Sequence, residues 1–290
     1  MASFSADQLS PLMNGFTIDK GPPKAITVAS ASSLADLRDV TVTGTLLKKQ
    51  LVRLDPQTGE RTARLAASNG RYKLEQDGDL HFCLGTEQLQ PHIPCELQNA
   101  QNFISTFRDA VGGKITATGF FRCLFEHPGF RTNDDAHVFE IHPIRAVNIN
   151  GSALTFDVDV PDQDSIHTWT DPHPLNDQDD RIEVEYDSDQ DTLTFHGMAG
   201  QDENYVQVSG KVSDTVLNLD STEPARFTFK SSDIGHPVTV YCMQGTSAAH
   251  QLRDLTRTTV SMVALRNIDW SEALNGRYVI GLLAIDIQPG

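Results

Sequence analysis

The sequence predicts a mainly β protein made of two five-stranded barrels, each with one short helix, joined by an acidic β segment. Three observations predict this fold class: alternating strand patterns, a second stretch that repeats the element order of the first, and one acidic block between them. The predicted boundaries are 1–37 for an N-terminal arm, 38–150 and 201–290 for the barrels, and 151–200 for the acidic connecting segment.

The strands of the first barrel are predicted from period-2 patterns. Val40, Val42 and Leu46 alternate with threonines, and Gly44 interrupts them as glycine does where a barrel strand coils. The four further strands are predicted over Thr62–Ala67, Asp79–Gly85, Lys114–Leu124 and His137–Val147. In the third of these five strands, Leu80, Phe82 and Leu84 fall on one face, with Asp79, His81 and Cys83 on the other.

One helix is predicted between the third and fourth strands. Leu97, Ala100, Ile104, Phe107 and Val111 recur at intervals of three and four residues, which is the spacing of an amphipathic helix. The pair Gly112-Gly113 follows, where a left-handed C-terminal cap is expected. The element order is therefore three strands, one helix and two strands.

The last hundred residues repeat that order. Strands are predicted over Tyr205–Val212, Ala225–Lys230 and Pro237–Met243, then a helix over Ser247–Leu255, then strands over Thr258–Arg266 and Arg277–Ile287. Gly210 again interrupts the first strand. Two similar units support the topology more strongly than one.

The net charge of −16 is concentrated in the connecting segment. Residues 1–150 hold 15 Lys/Arg against 16 Asp/Glu, whereas residues 151–192 hold one basic residue, Arg181, against 13 acids. Alternation around Ile182–Tyr186 and Leu193–Phe195 predicts strands with an acidic outer face. Either barrel can therefore still present a local basic surface to an anionic partner.

This element order resembles that of tandem OB-fold (oligonucleotide/oligosaccharide-binding) proteins. The resemblance lies in the order of elements and the placement of glycines, and no diagnostic sequence motif accompanies it. It implies binding of oligonucleotides or oligosaccharides on the face of strands 2 and 3 and through the neighbouring loops.

Cationic and aromatic residues on those faces are the candidate ligand-binding residues, because single-strand binders combine a cationic groove with stacking platforms. Those of the first barrel are Lys48, Lys49, Arg53, Arg61, Arg64 and Tyr72. Those of the second are Arg226, Lys230, Tyr241, Arg266 and Trp270. Solvated strand faces of an ordinary surface are the alternative interpretation.

A second candidate site combines histidines and carboxylates. Asp79 and His81 share one face of the predicted third strand, and Glu140 and His142 share one face of the fifth. Strands three and five are neighbours in an OB barrel, so these four side chains are expected to form one patch. Such a patch suits a divalent metal such as Zn²⁺ or Mn²⁺, and a polar surface ladder is the alternative.

We therefore expect a non-catalytic binding protein whose partner is single-stranded nucleic acid and which needs no cofactor. The alternatives are a protein-interaction scaffold and a metal-dependent hydrolase built on the His/carboxylate patch. No apolar run approaches 18 residues, which predicts no membrane-spanning helix. The first residues lack a secretory signal pattern, and the four cysteines form no CxxC pair, so a cytoplasmic location with free thiols is expected.

Overall fold

The computed structural model describes eleven ranges of the chain. These are residues 17–19, 25–34, 39–46, 80–85, 93–97, 103–123, 139–156, 166–168, 182–197, 205–218 and 223–290. Lys48, Lys49, Arg53, Arg61, Arg64, Tyr72 and Asp79, like the predicted strand Thr62–Ala67, lie outside the described residues.

The described elements follow in chain order. They are β1 (Thr17–Asp19), β2 (Ala25–Ala29), a 3-10 turn (Ala31–Leu34), β3 (Asp39–Leu46), β4 (Leu80–Gly85), β5 (Ile93–Leu97), α1 (Ile104–Ala110), β6 (Lys114–Cys123), β7 (Phe139–Ile149), β8 (Ser152–Thr155), β9 (Ile166–Thr168), β10 (Glu183–Asp187), β11 (Thr192–His196), β12 (Tyr205–Val216), β13 (Ala225–Lys230), β14 (Pro237–Cys242), α2 (Ser247–Arg253), β15 (Thr259–Ile268), α3 (Trp270–Ala273) and β16 (Ile280–Pro289).

Strands β3 to β7 close the first barrel. Antiparallel pairing links β5, β4, β3, β6 and β7, and a parallel pairing of Cys95 with Ile141 joins β5 to β7. This strand order, with α1 between the third and fourth strands, is that of an OB barrel. The predicted fold class is confirmed.

Two predicted elements of this barrel were wrong. Asp79–Gly85 was predicted as the third strand, but β4 pairs directly with β3 and is therefore the second. The third strand is β5, which was not predicted, and the helix is limited to α1 because Leu97 belongs to β5. The face assignment within β4 is confirmed, since Leu80, Phe82 and Leu84 are buried in the core.

Strands β12 to β16 close the second barrel in the same order. Its antiparallel pairs are β12–β13, β13–β14, β15–β16 and β12–β15, and a parallel pairing of β14 with β16 closes it. The predicted strand Ala225–Lys230 coincides with β13. Helix α2 begins after Thr246, whose side chain accepts a hydrogen bond from the backbone N–H of Ala249.

The N-terminal and acidic segments together form a four-stranded sheet in the order β1-β2-β11-β10. Asp191 links the two segments by hydrogen bonds. Its carboxylate accepts from the backbone N–H and the hydroxyl of Ser32, at 2.8 and 2.9 Å. One face of this sheet is apolar, and Phe195 packs edge-on against Trp270 of α3. Glu183 and Glu185 of β10 are exposed.

The two barrels pack against each other through outward-facing residues. Phe120 projects from β6 of the first barrel and is fully buried among residues of the second. These residues are Tyr205, Met243, Val263, Leu265, Leu283 and Ile285. The interface is therefore an apolar cluster between two closed barrels, separate from the main core cluster.

Candidate functional site

The second barrel presents an open face on its first three strands, which we call the cationic face. Alternation along β12, β13 and β14 turns seven polar, charged or aromatic residues away from the barrel core: Lys211, Ser213, Arg226, Thr228, Lys230, Thr239 and Tyr241. Cross-strand register aligns them in rows, with Lys211 opposite Lys230, Thr228 between Ser213 and Thr239, and Arg226 opposite Tyr241.

The three cations of this face have no acidic partner in the part of the chain that the structure describes. Lys211, Arg226 and Lys230 are exposed, and none forms an ion pair with a carboxylate of the described residues. Three other exposed arginines do have acidic partners close in sequence: Arg108 with Asp109, Arg253 with Asp254 and Arg277 with Glu272. Positive charge therefore accumulates on the cationic face.

The Lys211–Lys230 row places two like charges directly opposite each other on neighbouring strands. Such a pair destabilises a sheet relative to a neutral one, by roughly 0.2–1 kcal/mol. An anion lying between the two ammonium groups would reverse this repulsion. Asp214, at the irregular end of the β12–β13 pairing, accepts a hydrogen bond from the Ser213 hydroxyl at 3.0 Å and marks the edge of the face.

Tyr241 supplies the aromatic part of the face. It lies opposite Arg226 on one side and is in parallel register with Leu283 on the other. Its ring is partly buried against the apolar cluster between the barrels, with its centroid 6.2 Å from that of Phe120. Arg226 and Lys230, four residues apart on one strand, are separated by about 13 Å.

Two predicted ligand-binding residues lie elsewhere. Arg266 and Trp270 are 2% and 3% exposed, so neither side chain is available on an open face of the barrel. Trp270 packs against Phe139 and Phe195. Since Phe195 is on β11, the four-stranded sheet β1-β2-β11-β10 covers α3. The backbone carbonyl of Arg266 accepts a hydrogen bond from Arg122 Nε at 2.7 Å.

The second and third strands of the first barrel, β4 and β5, differ from their equivalents β13 and β14 in the second barrel. Cys83 on β4 and Pro94 and Glu96 on β5 alternate with core residues, and all three are buried. The two barrels therefore share a topology but differ in these strands, which carry exposed cations only in the second barrel among the residues that the structure describes.

A buried ionic network fills the interface beside the apolar cluster. Arg122 on β6 contacts Glu140 on β7 through Nη1 and Oε1. His142 Nδ1 lies 3.2 Å from Glu140 Oε1 and 3.1 Å from Glu96 Oε2, and its Nε2 lies 3.0 Å from the hydroxyl of Tyr205 in the second barrel. The backbone N–H of Cys123 also donates to Asn267 Oδ1 at 2.9 Å. The network thus joins the two barrels.

The charged groups of this network are paired. Burial alone would lower the pKa of His142, but the Glu96 carboxylate and hydrogen bonds to Glu140 and Glu96 raise it to about 9. Burial alone would raise the pKa of Glu140, but the Arg122 guanidinium and His142 lower it to about 2. At neutral pH the Arg122 and His142 cations therefore face the Glu140 carboxylate, and such pairing is what a buried charge requires.

The predicted His/carboxylate patch is thus partly present. Glu140 and His142 lie together, but β4 is not next to β7, because β5 lies between them and contributes Glu96; Asp79 lies outside the described residues. Among the described residues, Glu96, Glu140 and His142 form the group that could hold a metal ion. A protonated His142 with both ring nitrogens engaged in hydrogen bonds favours an ionic network over a metal site.

Four contributors to these sites were missed from the sequence. Lys211 is one of the outward-facing positions of the predicted strand Tyr205–Val212, so the alternation along that strand could have identified it. Glu96 depends on the unpredicted strand β5. Arg122 and Tyr205 carry no local signal, because only the packing of the two barrels brings them to the network.

Comparison with known proteins adds little to this geometry. No protein-family model and no curated protein sequence matches the chain. Among solved structures, it is similar to the single-stranded DNA binding protein from Thermus aquaticus, with 12% identity and a TM-score of 0.23 over 88% of this chain and 93% of that chain. A deletion mutant of that protein gives 10% identity and a TM-score of 0.22 over 97% and 90%. TM-scores this low carry no argument, so the OB assignment rests on strand order.

The structure also bears on membrane insertion. No helix in the described ranges is long and apolar enough to cross a membrane.

Proposed function

We propose that this chain is a non-catalytic binding protein for single-stranded nucleic acid and that the cationic face of its second barrel is the binding surface. The observation that carries the proposal is a set of three exposed cations, Lys211, Arg226 and Lys230, which are arranged in cross-strand rows with Tyr241 and have no ion pair among the described residues. Cations that follow a backbone, combined with an aromatic platform for a base, are what single-strand binding requires.

The chemistry of the face favours a flexible polyanion. Arg226 and Lys230 lie about 13 Å apart along β13, and the hydroxyls of Thr228 and Thr239 lie in the row between them. Lysine and arginine attract phosphates without regard to sequence, and threonine and serine hydroxyls donate hydrogen bonds to phosphate oxygens. With one aromatic among its seven outward residues, the face suits a short tract in which one base stacks.

The proposal is tested by measuring the affinity of the full chain for a fluorescent oligothymidylate and for a duplex of the same length, at several salt concentrations. The expected result is binding of the single strand that weakens steeply with salt and is stronger than binding of the duplex. Absence of salt-dependent binding to the single strand would contradict the proposal and would favour a protein partner.

A further inference from the structure

Tyr241 lies where the cationic face meets the interface between the barrels. One side of its ring borders the exposed row with Arg226, and the other side packs on the apolar cluster that contains Leu283. The ring that would stack on a base is therefore partly held by the interface.

Phe120 of the first barrel contacts this ring. The two ring centroids are 6.2 Å apart and the rings are inclined at 43°. Aromatic pairs at such separations prefer definite relative orientations. Phe120 is fully buried and belongs to the cluster of the second barrel rather than to the core of its own barrel.

Strand alternation directs Phe120 outward, because Ala117 and Phe121, of the opposite parity in β6, point into the core of the first barrel. The register between β6 and β7 shifts on both sides of Gly119, whose partner is Ile144, before Phe121 pairs with Ile141. A Cβ atom on Gly119 would lie 2.3 Å from the carbonyl oxygen of Pro143, so the close approach of the strands requires glycine. The extra residues of these shifts lie on β7, so the alternation of β6 continues through Gly119 and places Phe120 on the outer face, against the second barrel.

We infer that Phe120 is a positioning residue for single-strand binding: it orients Tyr241 on the cationic face, so the first barrel contributes to a site built on the second. This inference rests on the function proposed above. Phe120 does not touch the ligand and makes no contact with phosphate. Its loss should weaken stacking and leave the electrostatic part of binding unchanged.

The experiment compares four full-length proteins: wild type, Phe120→Leu, Tyr241→Ala and Phe107→Leu. Phe107, in the core of the first barrel, has its ring against Phe82, so its variant makes the same substitution without touching Tyr241. Oligothymidylate affinity, its salt dependence, and the yield of ultraviolet cross-linking at Tyr241, located by mass spectrometry, are measured for each.

Phe120→Leu should weaken binding by about three- to ten-fold, because part of one stacking contact is lost. Its salt slope should match that of the wild type, and its cross-linking yield at Tyr241 should fall, whereas Phe107→Leu should change neither. If Phe120→Leu does not fold, Phe120→Met, which keeps an apolar side chain in the cluster, provides the same comparison.

The failures of the two proposals are distinguishable. If Tyr241→Ala weakens binding while Phe120→Leu behaves like Phe107→Leu in affinity and cross-linking, the positioning role is overturned and the binding site stands. If Tyr241→Ala binds as tightly as the wild type, Tyr241 does not stack on a base and the proposed binding surface is refuted.

Discussion

Removing one cation from the cationic face should change the salt dependence of binding by a calculable amount. For single strands, the slope of log K against log salt concentration is about −0.7 for each neutralised phosphate. If Lys211, Arg226 and Lys230 each contact one phosphate, the wild-type slope is about −2 and that of Lys230→Ala about −1.4. Between 50 and 200 mM salt, affinity would then fall about 18-fold for the wild type and about 7-fold for the variant.

Lys230 is a suitable position because its loss should not destabilise the barrel. Its side chain is exposed, and the residue across from it on β12 is Lys211, so the substitution removes a repulsion. We expect the melting temperature of Lys230→Ala to equal or exceed that of the wild type. A change in affinity can then be assigned to the ligand contact rather than to unfolding.

The assay is fluorescence anisotropy with a labelled oligothymidylate at five or more salt concentrations. Lys114→Ala is the matched control, since Lys114 is an exposed lysine on a strand of the first barrel, paired with Thr45 and away from the cationic face. Its slope should remain that of the wild type. Equal slopes for the wild type and Lys230→Ala, or an equal change in Lys114→Ala, would refute the reasoning.

Three further predictions concern the interface and the barrel itself. Because the pKa of His142 is raised to about 9 from its usual 6.5, the stability that its charge contributes is complete below pH 6.5 and is lost as pH rises through 9. The melting temperature should fall over that range, and His142→Gln should flatten the fall. Because His142 is protonated at pH 7, the purified protein should hold no stoichiometric zinc, as metal analysis after dialysis would show. If the wild type holds one zinc ion per chain and His142→Gln holds none, the ionic network is contradicted. Gly210→Ala should lower the free energy of unfolding, measured in urea, by about 1–3 kcal/mol, because the added Cβ would lie 2.4 Å from the carbonyl oxygen of Lys230. Gly281→Ala should lower it less, because the nearest atom to its Cβ is 3.5 Å away.

The second barrel could be predicted closely because its strands alternate cleanly and are separated by turn residues. Ala225–Lys230 shows this best, since Phe227 and Phe229 point inward and Arg226 and Lys230 outward. The same alternation identified two cations of the cationic face. Period-2 patterning works there because that face of the sheet meets solvent.

The third strand of the first barrel, β5, was missed because its burial depends on residues that are distant in the sequence. Ile93–Leu97 contains Pro94 and Glu96, two residue types that are depleted in strands, and all five residues are buried. Glu96 can be buried because His142, 46 residues later in the chain, supplies the compensating charge. No local pattern reports such a partner.

Arg266 and Trp270 were misplaced for a related reason. Their composition is that of a ligand site, a cation near an aromatic ring, but the strand and helix that carry them are covered by other parts of the chain. Residues that face outward from one barrel become interior when a second barrel packs against it. The sequence pattern of β15 is the same in either case, so periodicity could not distinguish a ligand face from a docking face.

The two barrels show how one topology can serve two purposes. In the first, Glu96 on the third strand is buried and joins the ionic network that binds the second barrel through Tyr205. In the second, the same strands carry the exposed cations Arg226 and Lys230. Tyr241 lies on the open face and also contacts Phe120. A ligand that orders the Tyr241 ring must therefore also stabilise the contact between the barrels. Because coupling between two equilibria is reciprocal, weakening that contact must weaken ligand binding. On the proposed function, the first barrel therefore takes part in binding through Phe120.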